Sequence, residues 1–298
     1  MISSKDISVV VQGAVDYKNT PKGLASIRKW LPDSEIILST WENSDVEGLD
    51  YDILVLNQDP MGLYNRTNNT INNVNRQMIS TFNGIKKSSK KYILKIRSDV
   101  LLKSSKFLIY FDKFPVRISD YSIFKSRIIV STLFTKRYLD NKSKIPVPFH
   151  ISDWFQFGER EDIYSLWNSP LANQENDIAV NVNIEKCFYN CWINDRYTPE
   201  QFIFYNSINN SDKYKNKILF SNMLDLNSAV IGFSEQVIMN NFILKSPTSL
   251  GCVVLKEPYF SQIKKYNKFV KKQAKCIYTE HDFNKFYKNL RKEVKNEN

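Results

Sequence analysis

Histidine, glycine and cysteine are all scarce in this chain of 298 residues, which holds two histidines, eight glycines and four cysteines. None of the glycines falls into Gly-x-Gly-x-x-Gly or Gly-x-x-x-x-Gly-Lys-Ser/Thr. The backbone cradles that dinucleotide dehydrogenases and P-loop NTPases build for phosphate are therefore missing. The cysteines form no disulfide-scaffold pattern, and Cys187-x3-Cys191 with Cys276-x4-His281 matches no strong zinc spacing, so ordinary reduced core thiols are expected. No apolar run approaches the roughly 18 residues needed to span a bilayer. The first residues, MISSKDISVVVQGAV, place Asp6 where a secretion leader is basic and go directly into an apolar run. A cytoplasmic protein is expected, in which the sequons at Asn65, Asn68 and Asn209 meet no glycosylation machinery.

Acidic residues are in the minority. There are 42 Lys and Arg against 31 Asp and Glu, a formal net charge of +11 and a pI near 9.3. The excess lies late, in KKYNKFVKKQAKC (264–276) and KFYKNLRKEVKNEN (285–298). Such lysine-rich, aromatic-studded helices have two readings: a solvated helical surface, or attachment to the anionic inner face of the cytoplasmic membrane. No recognised nucleic-acid motif accompanies the charge, and nucleic acid is not expected as a partner.

What the chain does have is alternation. ISVVVQGAV (7–15), EIILSTWE (35–42), DILVLNQDP (52–60) and YILKIRSDVLL (92–102) read as short apolar strands. TPKGLASIRKWLP (20–32) and NNTINNVNRQMISTFNGIKKS (68–88) read as helices, the second with Ile71, Val74, Met78, Ile79, Phe82 and Ile85 on one stripe. Strand–helix alternation of this kind predicts an α/β fold with a mostly parallel sheet. Further on, SRIIVSTLFT (126–135) suits strand or helix. In 147–167, an alternation of Phe149, Ile151, Trp154 and Phe157 with His150, Asp153 and Gln156 predicts a strand, followed by a helix over EDIYSLW. Thr198 or Pro199 opens another helix, with Glu200 in its first turn, where the dipole favours a carboxylate. The chain reads as one catalytic-type domain over 1–255 with a basic, mainly helical segment over 256–298.

Open α/β sheets bind ligands beyond the carboxyl ends of their strands. That rule gathers Gln12-Gly13, Ser39-Thr40-Trp41-Glu42, Asn57-Gln58-Asp59 and Arg97-Ser98-Asp99 at one rim. Asn73 and Arg76 join them from the start of the second helix. A charged pair at the exit of a core strand is costly unless paired, so Arg97 and Asp99 mark either a plain salt bridge or the opening of a site.

ISVVVQGAV, EIILSTWE, LVLNQDP, NNVNRQMIST, LKIRSDVLL, PFHISDWFQFG and TPEQFIF, in this order over about residues 5 to 205, resemble the WavE-type lipopolysaccharide synthesis family of bacterial proteins. The resemblance implies a GT-A-like glycosyltransferase. Its sugar would come from a nucleotide-sugar donor and pass to a lipopolysaccharide or capsular glycan acceptor, free or lipid-linked. It further implies a divalent metal, Mn or Mg, held near the donor diphosphate by a short acidic motif after a core strand. Arg97-Ser98-Asp99 stands at that position with its first carboxylate replaced, which leaves Asp99 as ligand and Arg97 facing phosphate. His281 is a second candidate ligand. On the same basis Gln12, Gly13, Thr40, Asn73 and Arg76 are expected to contact the donor. His150 and Trp154, with Phe155 beside it, are expected at the acceptor. Asp153 and Glu200 are the candidate bases. Two alternatives remain open: transfer of a polyol-phosphate from a CDP-linked donor, or a non-catalytic scaffold derived from a transferase.

Overall fold

The computed structural model describes residues 2–65, 70–173, 176–177, 196–215, 217, 220–222, 225–255 and 275–296. Asn68, Cys187, Cys191 and most of the basic stretch 264–276 lie outside the described residues.

Seven strands form the central sheet: β1 (Ile7–Gln12), β2 (Glu35–Trp41), β3 (Ile53–Asn57), β6 (Tyr92–Arg97), β8 (Ile128–Ser131), β9 (Phe155–Glu159) and β10 (Phe242–Lys245), in the order β10-β8-β9-β6-β1-β2-β3. β1 pairs in parallel with both β2 and β6, β2 with β3, and β10 with β8. Only β9 is antiparallel to its neighbours in this sheet. The fold is thus a mixed, mostly parallel α/β sheet flanked by helices. Every residue of β1 is buried, as a central parallel strand covered on both faces requires.

Two helices cover the faces near β1. α1 (Thr20–Trp30) approaches the short strand β7 (Val100–Leu102) so closely that a Cβ on Gly23 would meet the Val100 carbonyl at 2.8 Å. α2 (Val74–Lys87) lies on β1 and β2, and a Cβ on Gly84 would sit 2.5 Å from the Val10 side chain. Glycine at both positions lets helix and strand touch. α3 (Arg160–Trp167) and α4 (Pro199–Asn210) continue the layer begun by α2, and α5 (Ser228–Asn241) leads into β10.

Three local expectations are corrected. The second helix begins at Val74, six residues after the start of the 68–88 stretch expected to be helical, because β5 (Thr70–Asn72) pairs antiparallel with β4 (Leu63–Asn65). Asn72 Oδ1 then accepts the Val74 amide at 2.9 Å and turns the chain into the helix. YILKIRSDVLL is two strands. β6 ends at Arg97, Ser98 donates its hydroxyl to the Ala14 carbonyl at 2.6 Å, and β7 leaves to pair with β11 (Cys252–Val254). Residues 149–153 are no strand: Phe149 takes φ +57° and gives its amide to Ser234 Oγ at 2.7 Å. The alternation there serves an aromatic cluster in which Phe149 meets Phe220 at 5.0 Å and Tyr205 at 5.8 Å.

The C-terminal helix (Glu280–Asn296) buries Phe283, Tyr287 and Leu290 on one side, and Phe114 meets the rings of Phe283 and Tyr287 at 5.0 Å each. Its first residue, Glu280, accepts the Ser246 amide just beyond β10. No described helix is long and apolar enough to cross a membrane.

Candidate active site

The parallel strands all end at one edge of the sheet, and antiparallel β9 begins there. In register, Gln12 lies between Ser39 and Arg97. The rim read from the sequence therefore exists as one edge. Its chemistry is concentrated where β6, the start of β9 and the start of α4 meet.

The centre of that cluster is Lys95, which the sequence reading passed over. It is fully buried in β6, two residues before Arg97 and so on the same face. Its Nζ donates to the Asp153 backbone carbonyl and lies 4.5 Å from the Trp167 ring centroid. Burial pushes its pKa down to about 8, with the Asp153 carboxylate offsetting part of that effect. A lysine inside an otherwise apolar strand, with an arginine two residues on, was the available signal.

Asp153 is 2% exposed, and its Oδ2 has no hydrogen-bond partner. Burial raises its pKa and the Glu200 charge adds to this, while Lys95 and Arg97 oppose it. Glu200 stands in the first turn of α4. Thr198 fixes that turn by accepting the Gln201 amide at 3.2 Å, and Gln201 returns the bond to the Thr198 amide. The Gln201 side chain also donates to the Pro148 carbonyl at 2.8 Å, so α4 is tied to the 148–153 loop. Glu200 retains 20% side-chain exposure, and burial raises its pKa too. His150 Nε2 lies 3.6 Å from Glu200 Oε2, too long for a hydrogen bond. Burial depresses the His150 pKa to about 3, so the imidazole is neutral, and its Nδ1 is unbonded.

Arg97 and Asp99 form a bidentate pair across the turn, with Nε to Oδ1 at 3.0 Å and Nη2 to Oδ2 at 2.7 Å. The guanidinium also lies 4.9 Å from the Trp154 ring centroid. The Arg97 pKa is raised: burial opposes its charge, but Asp99 and Asp153 outweigh that. With both Asp99 oxygens bonded to a guanidinium, a cation is already in the place a divalent metal would take. His281 is exposed at the start of the C-terminal helix. Among the described residues no three His, Cys, Asp or Glu side chains gather into a metal-holding group. These donors do not fit a metal held by the protein.

The remaining expected donor contacts are engaged internally. Gln12 is buried, and its Oε1 accepts from Ser80 Oγ at 2.8 Å. The Thr40 hydroxyl pairs with Ser44 Oγ at 2.8 Å. Arg76 is bidentate to Asp59 at 2.7 and 2.6 Å and donates to Asn73 Oδ1 at 2.9 Å. Gly13 adopts φ +110° and gives its amide to the Ser39 carbonyl. At the expected acceptor side, Trp154 is 8% exposed and packs against Phe134 at 4.8 Å, while Phe155 is in the core against Phe107 at 5.2 Å. Neither offers an open ring face for a sugar, because the core claimed the aromatic side chains. The structure brings Lys95, Arg97, Asp99, His150, Asp153 and Glu200 together, and leaves Arg76 and His281 outside that group.

The family model described as WavE lipopolysaccharide synthesis matches residues 7–295. No curated protein matches the chain. Among solved structures, the chain is similar to the 4-diphosphocytidyl-2C-methyl-D-erythritolsynthase of Anaerococcus prevotii DSM 20548, with TM-score 0.34 and 14% identity over 58% of this chain and 83% of that one. It is also similar to HddC from Yersinia pseudotuberculosis, with TM-score 0.29 and 12% identity over 53% of this chain and 78% of that one. Likeness this far short of one half in TM-score does not establish a shared fold.

Proposed function

The chain belongs to the WavE lipopolysaccharide synthesis family, and on that premise we propose that it is a glycosyltransferase. It moves a sugar from a nucleotide-sugar donor to a hydroxyl of a lipopolysaccharide or related glycan. The observation that carries this reading is the mostly buried Glu200, which keeps 20% side-chain exposure and whose pKa burial raises, beside the fully buried Lys95 and Asp153 at the carboxyl edge of a parallel sheet. A raised carboxylate pKa brings a base nearer the working pH, and its remaining exposure lets it reach an acceptor. Asp153, without such exposure, acts beneath it as a positioning residue.

In the proposed reaction an acceptor oxygen attacks the anomeric carbon of the donor sugar. Glu200 takes the acceptor proton, the new glycosidic bond forms, and the bond to the nucleoside diphosphate breaks with its electrons. Arg97, held by Asp99, supplies positive charge on the side where the diphosphate departs. No step is routed through a metal held by the protein.

The test is release of nucleoside diphosphate from UDP-, GDP- and CDP-linked sugars in the presence of a lipopolysaccharide acceptor. The wild type is expected to release one of them. Glu200→Gln should bind that donor and turn over roughly 100-fold more slowly. Equal turnover by the variant removes Glu200 as base. Release of CMP from a CDP-polyol, with no sugar nucleotide consumed, replaces the reading by polyol-phosphate transfer.

A further inference from the structure

A second site lies at the opposite edge of the sheet. Arg127 immediately precedes β8, and the first residue of β8, Ile128, pairs with Phe242, the first residue of β10. Arg127 is 3% exposed. Its Nε donates to the Met239 carbonyl at 3.2 Å, and its Nη1 donates to the carbonyls of Phe114 and Val116. Its Nη2 has no hydrogen-bond partner. Among the described residues no carboxylate pairs with it, and the charge of Arg117 repels it. Burial, joined by that repulsion, pushes its pKa down to about 9. A buried guanidinium with an idle donor and no counter-charge is costly unless an anion completes it.

The guanidinium lies 5.5 Å from the ring centroid of Tyr287. Tyr287 and Phe114, which also accepts from Arg127, line a groove of about 490 Å³. Lys113, Lys288, Arg291 and Lys292 line the same groove. All four are exposed, and none forms an ion pair among the described residues. Cations from two separate segments thus converge on one concavity backed by a fifth, buried cation, without a carboxylate among the lining residues. A solvated helix face has no reason to gather a buried arginine behind it. Ile109, on the 3-10 segment Lys106–Lys113 that carries Lys113, is an apolar side chain 49% exposed.

We infer that this groove is a phosphate-recognition site that docks the protein on the headgroups of an anionic lipid surface. Charge complementarity selects the phosphate, and Ile109, exposed on the segment that carries Lys113, offers an apolar side chain that a bilayer surface takes up and a free ion does not. The site stands at the amino edge of the parallel strands, so docking there leaves the carboxyl edge open. The inference is independent of which sugar the other edge transfers, or whether it transfers one.

The experiment is sedimentation of the full chain with phosphatidylglycerol vesicles and with phosphatidylcholine vesicles, at fixed ionic strength. It compares the wild type with Lys288→Gln/Arg291→Gln/Lys292→Gln. The three residues are exposed, and circular dichroism verifies that the variant folds. Binding to phosphatidylglycerol alone is expected for the wild type, falling roughly 100-fold in the variant, with inorganic phosphate competing better than chloride. Equal binding of variant and wild type overturns the inference. So does equal binding to both lipids. A melting temperature raised by inorganic phosphate with no vesicle binding assigns the groove to a free phosphate compound and overturns the lipid assignment.

Discussion

Lys95 is the residue on which the site's electrostatics turn. Its ordinary pKa of 10.5 is lowered to about 8 by burial. Below that value the folded and unfolded lysine are both charged, and the burial cost is fully present. Between about 8 and 10.5 the folded lysine is neutral while the unfolded one still holds its proton, so stability rises with pH across this window. Lys95→Met removes that rise. Urea denaturation near pH 7.5 and near pH 9.5 should show the wild type gaining roughly 2 kcal/mol relative to the variant. The same response in both proteins would mean that Lys95 is not buried as described. Asp153 and Glu200 have the opposite linkage. Their raised pKa values mean that the folded state holds protons the unfolded state has released. Their contribution to stability therefore falls as pH rises above the ordinary carboxylate range through their folded pKa values. Two carboxylates that weaken the fold at neutral pH are what a site retained for chemistry would contain.

At the scale of elements, α4 does most to place chemistry. Its capping box holds the turn that presents Glu200, and Gln201 pins that turn to the Pro148 carbonyl. Thr198→Ala should cost about 1 kcal/mol of stability and lower turnover as well, because the first turn loses its anchor. Urea midpoints and steady-state rates check this, and an unchanged rate with the stability lost would separate the cap from the site. The start of α4 was legible from Thr-Pro-Glu-Gln, and β1, β2, β3 and β6 were legible as short apolar runs, while the run that forms β8 suited strand or helix equally. The 149–153 stretch was not. Its alternation mimics a strand, but Phe149 packs into a cluster assembled from α4, Tyr197 and Phe220, far apart in sequence. The break inside YILKIRSDVLL escaped for a related reason. The turn depends on the Ser98 bond to Ala14, and the departure of β7 depends on β11, some 150 residues away. Arg76 and Gln12 were recognised as rim residues, but their partners Asp59 and Ser80 are visible only once α2 is docked.

At the scale of the whole molecule, two clusters of charged side chains lie at opposite edges of one sheet. The carboxyl edge gathers Lys95, Arg97, His150, Asp153 and Glu200, and the amino edge carries a groove of unpaired cations around Tyr287. A net charge of +11 is thus partly explained by position, since part of the excess converges on that groove. The sequence made the sheet and its polar rim legible because both follow from local patterns, and it left the buried lysine unremarked because burial is a tertiary property. The central claim is that the carboxyl edge binds the nucleoside diphosphate of a sugar donor, with Arg97 providing the charge. Thermal denaturation of the wild type and of Arg97→Gln, with UDP, GDP and CDP, each with Mn²⁺, Mg²⁺ or chelator, tests it most directly. A ligand bound only by the folded state raises the melting temperature by mass action. The account predicts a shift with one diphosphate that survives chelator and is lost in Arg97→Gln. No shift with any nucleotide, or an equal shift in the variant, would contradict it.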